Sequence, residues 1–270
     1  MKTLGHLLIE EIKLQPGHEW MDASGAWHFV RVHRGAAYWL GAAETRPLVE
    51  GEMLVVAPDA SGSVRASQIG EVVLHGFSFA PHLLCGFFTL AEGHFFETVA
   101  GKSGKIRFLP STHPATQRFT AIAAHAARHN LSERAGVLEI VTAVFDDEMA
   151  RHRPPASLST TALSRFKQLI TQMPDAEIIN HSPEELARLC GCSPRHFNRL
   201  FRAHFAVSAR ARQTELRLLQ ARQLLCSTNE KIIQVALNCG YRSLSLFNSI
   251  FKKRFGVTPS GYRQKAGKKT

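Results

Sequence analysis

Between Ser193 and Val207 the chain sets Arg195, His196, Asn198, Arg199 and Arg202 into the gaps of a phenylalanine ladder, Phe197, Phe201 and Phe205. Four-residue spacing puts the three rings on one face of a helix. There they hold the helix to its own core and turn the polar residues outward. A guanidinium pairs bidentately with guanine O6 and N7, and a carboxamide with adenine N6 and N7. The outward set therefore has the chemistry of a base reader; the plain alternative is a solvated helix face.

The ladder occurs twice. Ser193, Phe197, Asn198, Phe201, Phe205 and Val207 return fifty residues later as Ser243, Phe247, Asn248, Phe251, Phe255 and Val257, and Ser208 is echoed by Thr258. Repetition of this kind marks a duplicated unit. In the second copy the outward positions are Leu244, Ser245, Asn248 and Ser249, with Arg242 at the start and Lys252 and Lys253 behind. Leu244 suits either a thymine methyl or the covering of domain surface.

Other reactive types are less promising. Cys190-Gly-Cys192 is spaced too closely for a usual zinc motif, and small apolar residues at a tight turn are the expected reading. His125 and His129 stand four apart on an expected helix, a metal-gripping spacing without a third ligand nearby. His28 and His33, five apart on a strand, face opposite ways, which argues against a metal-dependent cupin enzyme with a DNA-binding appendage, the rival from the enzyme class. No cofactor, metal or catalytic residue is expected.

Each ladder needs a partner helix. Ser182-Pro-Glu-Glu185 has Ser at the cap, Pro at the first helical position and Glu185 placed for a capping box. Leu186, Ala187 and Leu189 continue that helix to Gly191. In the second copy Ile232, Ile233, Ala236 and Leu237 lead to Cys239-Gly240, and in both copies an alanine stands four residues before a glycine. Helix, short glycine turn and helix is the helix-turn-helix arrangement, whose second helix can enter the major groove. The two units are expected at about 182–205 and 231–255, joined by a connecting helix over Ala211–Cys226 with Leu216, Leu219 and Leu224 apolar.

Charge agrees. Of the net +11 on 270 residues, Ala156–Thr270 carries 19 Lys and Arg against 6 Asp and Glu, net +13, and residues 1–155 carry 14 against 16, net −2. A polyanionic partner is expected for the C-terminal part. No apolar stretch approaches the ~18 uninterrupted residues of a membrane helix. No secretory signal is expected, and the cytoplasm follows by default. Five cysteines, an odd number without a CxxC pair, suit reduced thiols.

Upstream the pattern differs. Trp27–His33, Tyr38–Leu40, Met53–Ala57 and Val72–Phe79 are rich in aromatic and β-branched residues and separated by Gly or Pro, which suggests an antiparallel sandwich or barrel over residues 1–110. Trp27, Phe29, Tyr38, Trp39, Phe77 and Phe79 suit the core of such a domain or the lining of a pocket. Thr112–Arg128 and Ser132–Met149 read as helices, the second with Ser132 as cap and Val137, Ile140, Val141 and Val144 on one apolar face. Arg151-His-Arg-Pro-Pro155 ends it. The fold class is α+β: an antiparallel β domain at 1–110, a helical linker at 111–155 and an all-α domain at 156–270.

From Thr161 to Arg263 the chain resembles the AraC/XylS-type transcriptional regulators. The resemblance rests on Ala236, Gly240-Tyr241, Ser243, Phe247, Phe251-Lys252-Lys253, Gly256, Thr258-Pro259 and Tyr262-Arg263. It departs at Ala206, where the family commonly has glycine, and at Ser249, where arginine is frequent. The resemblance implies that Arg195, Asn198 and Arg199 face bases and that Arg202 meets phosphate. It also implies a cupin-like N-terminal domain for a small-molecule effector, for which Leu48–Pro58 is a looser match. A homodimer through the 112–149 helices, promoter DNA and RNA polymerase as partners, and activation rather than repression are implied as well. A nucleoid-type binder without sequence preference is the second rival.

Overall fold

The computed structural model describes residues 4–21, 24–42, 44–84, 86–100, 105–124, 130–152 and 161–267. His125, His129 and Cys85 lie outside them, as does 153–160, where the expected linker ends and the expected all-α domain begins. The chain divides into two compact units, one of residues 1–80 and 95–152, the other of 81–94 and 153–270.

The first unit is built on two antiparallel sheets. One has the order β1 (Glu10–Leu14), β8 (Val72–Phe79), β3 (Trp27–Arg34), β6 (Met53–Val56), β9 (Ile106–Leu109). The other runs β2 (Glu19–Trp20), β7 (Gly62–Ala66), β4 (Ala37–Gly41), β5 (Thr45–Leu48). Ile12, Val30, Val32, Leu54 and Leu74 from the first meet Trp20, Trp39, Leu48, Val64 and Ala66 from the second in one core. The opposite side of the first sheet is covered too. Helix α2 (Pro114–Ala123) and helix α3 (Leu131–His152) bring Phe119 and Phe145 against it: Phe29 stacks on Phe77 at 4.7 Å, Phe77 on Phe119 at 5.6 Å, and Trp27 meets Phe145 edge-on at 5.0 Å. Burial on both sides explains why β3 and β8 carry long apolar runs instead of clean alternation.

One expectation changes here. Helix α3 begins at Leu131, not after Ser132, because the Asn130 side chain accepts from Glu133 N at 3.0 Å and caps it. The apolar face of α3 is covered within the chain: Val137, Ile140, Val141 and Phe145 are buried, and Val144 is half-buried. A Cβ at Gly136 would lie 2.7 Å from Ile122 Cδ1, so that glycine is what lets α3 approach α2. Arg107 of β9 fixes the C-terminal part of α3. It pairs with both carboxylate oxygens of Glu148 at 2.8–2.9 Å and lies over the Phe145 ring, 4.6 Å from its centre.

The second unit is helical. It contains α1 (Leu90–His94), α4 (Ala162–Gln172), α5 (Pro183–Leu189), α6 (Pro194–Phe205), α7 (Ala209–Ser227), α8 (Ile232–Asn238), α9 (Leu244–Phe255) and α10 (Pro259–Gly267). Segment 81–94, read from the sequence as part of the β domain, belongs here. Leu90 is fully buried in the core formed by Phe166, Phe197 and Phe201. The segment is held by hydrogen bonds from Leu90 N to Met173 O at 3.1 Å and from Gly86 N to the Asp175 carboxylate at 2.6 Å.

Helix α7 serves two cores. Leu216 enters the first, while Leu218, Ala221 and Leu225 enter the second with Val235, Phe247 and Phe251. Its ends come from short-range chemistry. Ser208 caps the start through Ala211 N. Just before that cap, Ala206 ends α6 at φ +59, whereas Gly256 ends α9 at φ +75. A left-handed alanine is strained by about 1–2 kcal/mol, and glycine returns part of the relief through its greater unfolded-chain freedom. Ala206→Gly is accordingly expected to stabilise the helical unit by about 1 kcal/mol in urea denaturation, with Gly256→Ala losing a similar amount.

Candidate nucleic-acid interface

Each candidate reading helix starts at a capped serine. Ser193 accepts from His196 N and Ser243 from Leu246 N, both at 3.3 Å. Ahead of each lies the alanine–glycine pair, and its spacing has a backbone reason. Gly191 and Gly240 adopt φ +60 and +79. The next residue's N–H then reaches back to the alanine carbonyl, Cys192 N to Ala187 O at 3.0 Å and Tyr241 N to Ala236 O at 2.9 Å. This is the left-handed C-terminal motif with its six-to-one hydrogen bond, and the fully buried alanine side chains let the helices close on each other. The Ser182 and Glu185 capping box is present, at 3.2 and 2.6 Å. The second turn runs Gly240–Ser243 against Gly191–Ser193, one residue longer.

Cys190 sits at that first turn, fully buried, and burial pushes its thiol up to about 11. Burial raises Cys192 as well. Both are therefore protonated, free thiols that pack, as the sequence suggested for the pair. Among the described residues no group of three or more His, Cys, Asp or Glu side chains could hold a metal ion, and no helix is long and apolar enough to cross a membrane.

The ladders face inward. Phe197 and Phe201 are fully buried and Phe205 nearly so, with neighbouring ring centres 5.8 and 4.4 Å apart, and Phe166 of α4 closes on the first two edge-on. Phe247 and Phe251 repeat this against Tyr241 and Tyr262, with Phe255 partly covered. On the opposite side of α6, Arg195, Arg199 and Arg202 are exposed at spacings of four and three, one stripe along the helix. His196 and Asn198 flank it half-buried, and Arg199 Nη2 lies 2.9 Å from His196 Nδ1, which steadies the guanidinium. On α9 the corresponding stripe is Ser245, Ser249 and Lys252, all exposed, with Asn248 half-buried and Arg242, Leu244 and Lys253 exposed. Leu244 is 37% exposed and stands outside the second core.

Sequence reasoning missed the groups that brace the candidate reading helices. Arg254, at the end of α9, forms a paired ion bridge to Glu215 of α7, with three N–O distances of 2.8–2.9 Å. Arg263 of α10 donates to Glu230 O at 2.6 Å and Leu225 O at 3.3 Å. Gln213, buried in α7, donates to Ile178 O and His181 O at 2.7 and 2.6 Å. Nothing local in the sequence singles out Arg254 or Gln213, and Arg263 is marked only by the family resemblance, without this bracing role.

Comparison with known proteins bears on the same segment. The family model described as a helix-turn-helix domain matches residues 186–265. The transcriptional regulator GlxA of Rhizobium meliloti is 39% identical over 82 residues, 30% of this chain and 25% of that protein. ExsA of Pseudomonas aeruginosa is 38% identical over 80 residues, covering 30% and 29%. The virulence regulon activator VirF of Yersinia enterocolitica is 37% identical over 79 residues, 29% of each. The chain thus spans under a third of the length of these relatives. Among solved structures, a regulator with an AraC-type DNA-binding domain from Chromobacterium violaceum aligns at 32% identity over 39% of this chain and 91% of its own, TM-score 0.33. ToxT of Vibrio cholerae aligns at 12% identity over 94% and 96%, TM-score 0.38.

Proposed function

We propose, from the premise that residues 186–265 form a helix-turn-helix domain of the AraC/XylS type, that the chain is a sequence-specific DNA-binding transcriptional regulator. The observation that carries this reading is the polarity of α6. One face is three buried phenylalanines, and the other is an exposed stripe of Arg195, Arg199 and Arg202. Arg195, Asn198 and Arg199 read base edges, Arg202 meets phosphate, and His196 orients Arg199.

The second helix contributes differently. Ser245, Asn248 and Ser249 offer fewer strong donors than the arginines of α6, Leu244 meets a thymine methyl, and Arg242, Lys252 and Lys253 supply phosphate affinity. A shared connector, α7, holds both helices for successive major grooves. The N-terminal sandwich is a cupin-like domain that takes a small effector. The regulator acts in the cytoplasm as a homodimer, whose contact uses the outer faces of α2 and α3, and activates transcription through RNA polymerase.

The test is selection of bound duplexes from a random pool by the full chain. A recurring site with one base-specific block for each reading helix is expected; recovery of unrelated sequences would return the chain to the nucleoid-type class. On the selected site, Lys253→Ala should weaken cognate and random duplexes alike and lower the salt slope of binding by about one. A change in base preference there would give Lys253 a reading role instead.

A further inference from the structure

Each helix-turn-helix has an arginine laid over its turn, and the two occupy like places. Arg165 directly precedes Phe166, which α4 sends into the first core, and Arg217 directly precedes Leu218, which α7 sends into the second. Both guanidinium groups lie against the turn glycine. A Cβ at Gly191 would stand 2.7 Å from Arg165 Cζ and Nη2, and one at Gly240 3.4 Å from Arg217 Nε and 3.6 Å from its Cζ.

The two arginines use their donors differently. Arg217 is half-buried, and its Nη2 donates to Ile179 O at 2.9 Å, so its far end is committed to the protein. Arg165 is exposed, and its Nε donates to Cys190 O at 3.0 Å. Cys190 caps the end of α5, where a helix leaves carbonyls without an intrahelical donor. This bond anchors the guanidinium at its base. Both Nη groups are left without a partner among the described residues, and no carboxylate there pairs with them. The neighbouring Cys190 and Cys192 thiols are protonated and offer no counter-charge.

An oriented, unpaired guanidinium fork matches a phosphate, which takes its parallel N–H groups. Its place in the fold selects the phosphate. Gly191 stands two residues before Ser193, the cap of α6, and four before Arg195, where the exposed stripe begins. A reading helix meets base edges with its N-terminal residues, so a group at the turn just before it lies at the rim of the groove, beside the backbone. We propose that Arg165 is a positioning residue: its Nη groups hold a DNA phosphate beside the start of α6 and set the register in which Arg195 and Arg199 meet the bases. Arg217 makes no such contact, so the first unit is anchored in a way the second is not. This assignment rests on the regulator reading of the chain.

The selected duplex would be made with one neutral methylphosphonate at a time along both strands and bound by the full chain. In the wild type, neutralising a phosphate that flanks the block read by α6 should weaken binding about tenfold. In Arg165→Gln the amide nitrogen stands as many bonds from Cα as the arginine Nε, and keeps the bond to Cys190 O. That variant should bind the unmodified duplex about tenfold more weakly and lose nothing further at that one phosphate. Its urea midpoint and its response at every other phosphate should stay as in the wild type. Arg165→Lys, with the charge but not the fork, should fall between the two. Arg217→Gln should lower the urea midpoint and keep the wild-type methylphosphonate pattern. A wild-type scan with no sensitive phosphate beside the α6 block overturns the proposal whatever the variants do. So do losses in Arg165→Gln that add in full at every phosphate, which would leave Arg165 a brace of the turn. A phosphate response lost in Arg217→Gln would overturn the division between the copies. A random pool that yields no recurring site removes the regulator reading and this contact with it. A recurring site without the coupling removes only the contact.

Discussion

Phe201→Ala is expected to destabilise the helical unit by about 3–5 kcal/mol, the usual range for deleting a fully buried phenylalanine. The ring is fully buried in the centre of the first ladder, with Phe205 at 4.4 Å, Phe197 at 5.8 Å and Phe166 at 6.3 Å. These neighbours belong to two helices capped at their own ends, so a shift of α6 alone does not close the hole. Urea denaturation followed by helical signal reads the loss. Specific DNA binding should fall with it, because the exposed arginines keep their geometry only while α6 stays seated. Leu200→Ala, at a half-buried position beside it, serves as the control and should cost clearly less. A loss below about 1 kcal/mol for Phe201→Ala would mean that the ladder is not the inward face.

Arg199→Ala should weaken binding to the selected site by about 1–3 kcal/mol, roughly five- to 150-fold, and relax discrimination at one base position. The guanidinium is exposed and already oriented by His196 Nδ1 at 2.9 Å, so little ordering remains to be done on binding. Arg199→Lys should not restore discrimination, because an ammonium lacks the planar fork that grips O6 and N7 together. Comparing cognate and random duplexes separates the roles. Equal losses on both would place Arg199 on phosphate and leave Arg195 and Asn198 as the readers.

Short-range signals were legible because their physics is short-range. Ser182 and Glu185 satisfy each other's backbone donors within four residues, so that capping box needs no distant partner to be read. The strands over Trp27–Arg34, Met53–Val56 and Val72–Phe79 were visible as aromatic and β-branched runs. Strands β1, β2, β5, β7 and β9 were not: they are two to five residues long, and their pairing is decided by distant neighbours such as Leu74 opposite Ile12.

By itself the amino-acid order determined the duplicated unit, the inward and outward sides of its ladder helices and the placing of positive charge. Each of these is periodic or compositional, and periodicity survives without knowledge of partners. Tertiary structure alone decided that Val137, Ile140 and Val141 are buried within the chain, that segment 81–94 joins the helical unit, and that Glu215 holds Arg254. An apolar stripe or a surface cation states what it needs to bury or pair with; only the packing of residues far apart in the chain supplies the group that meets that need.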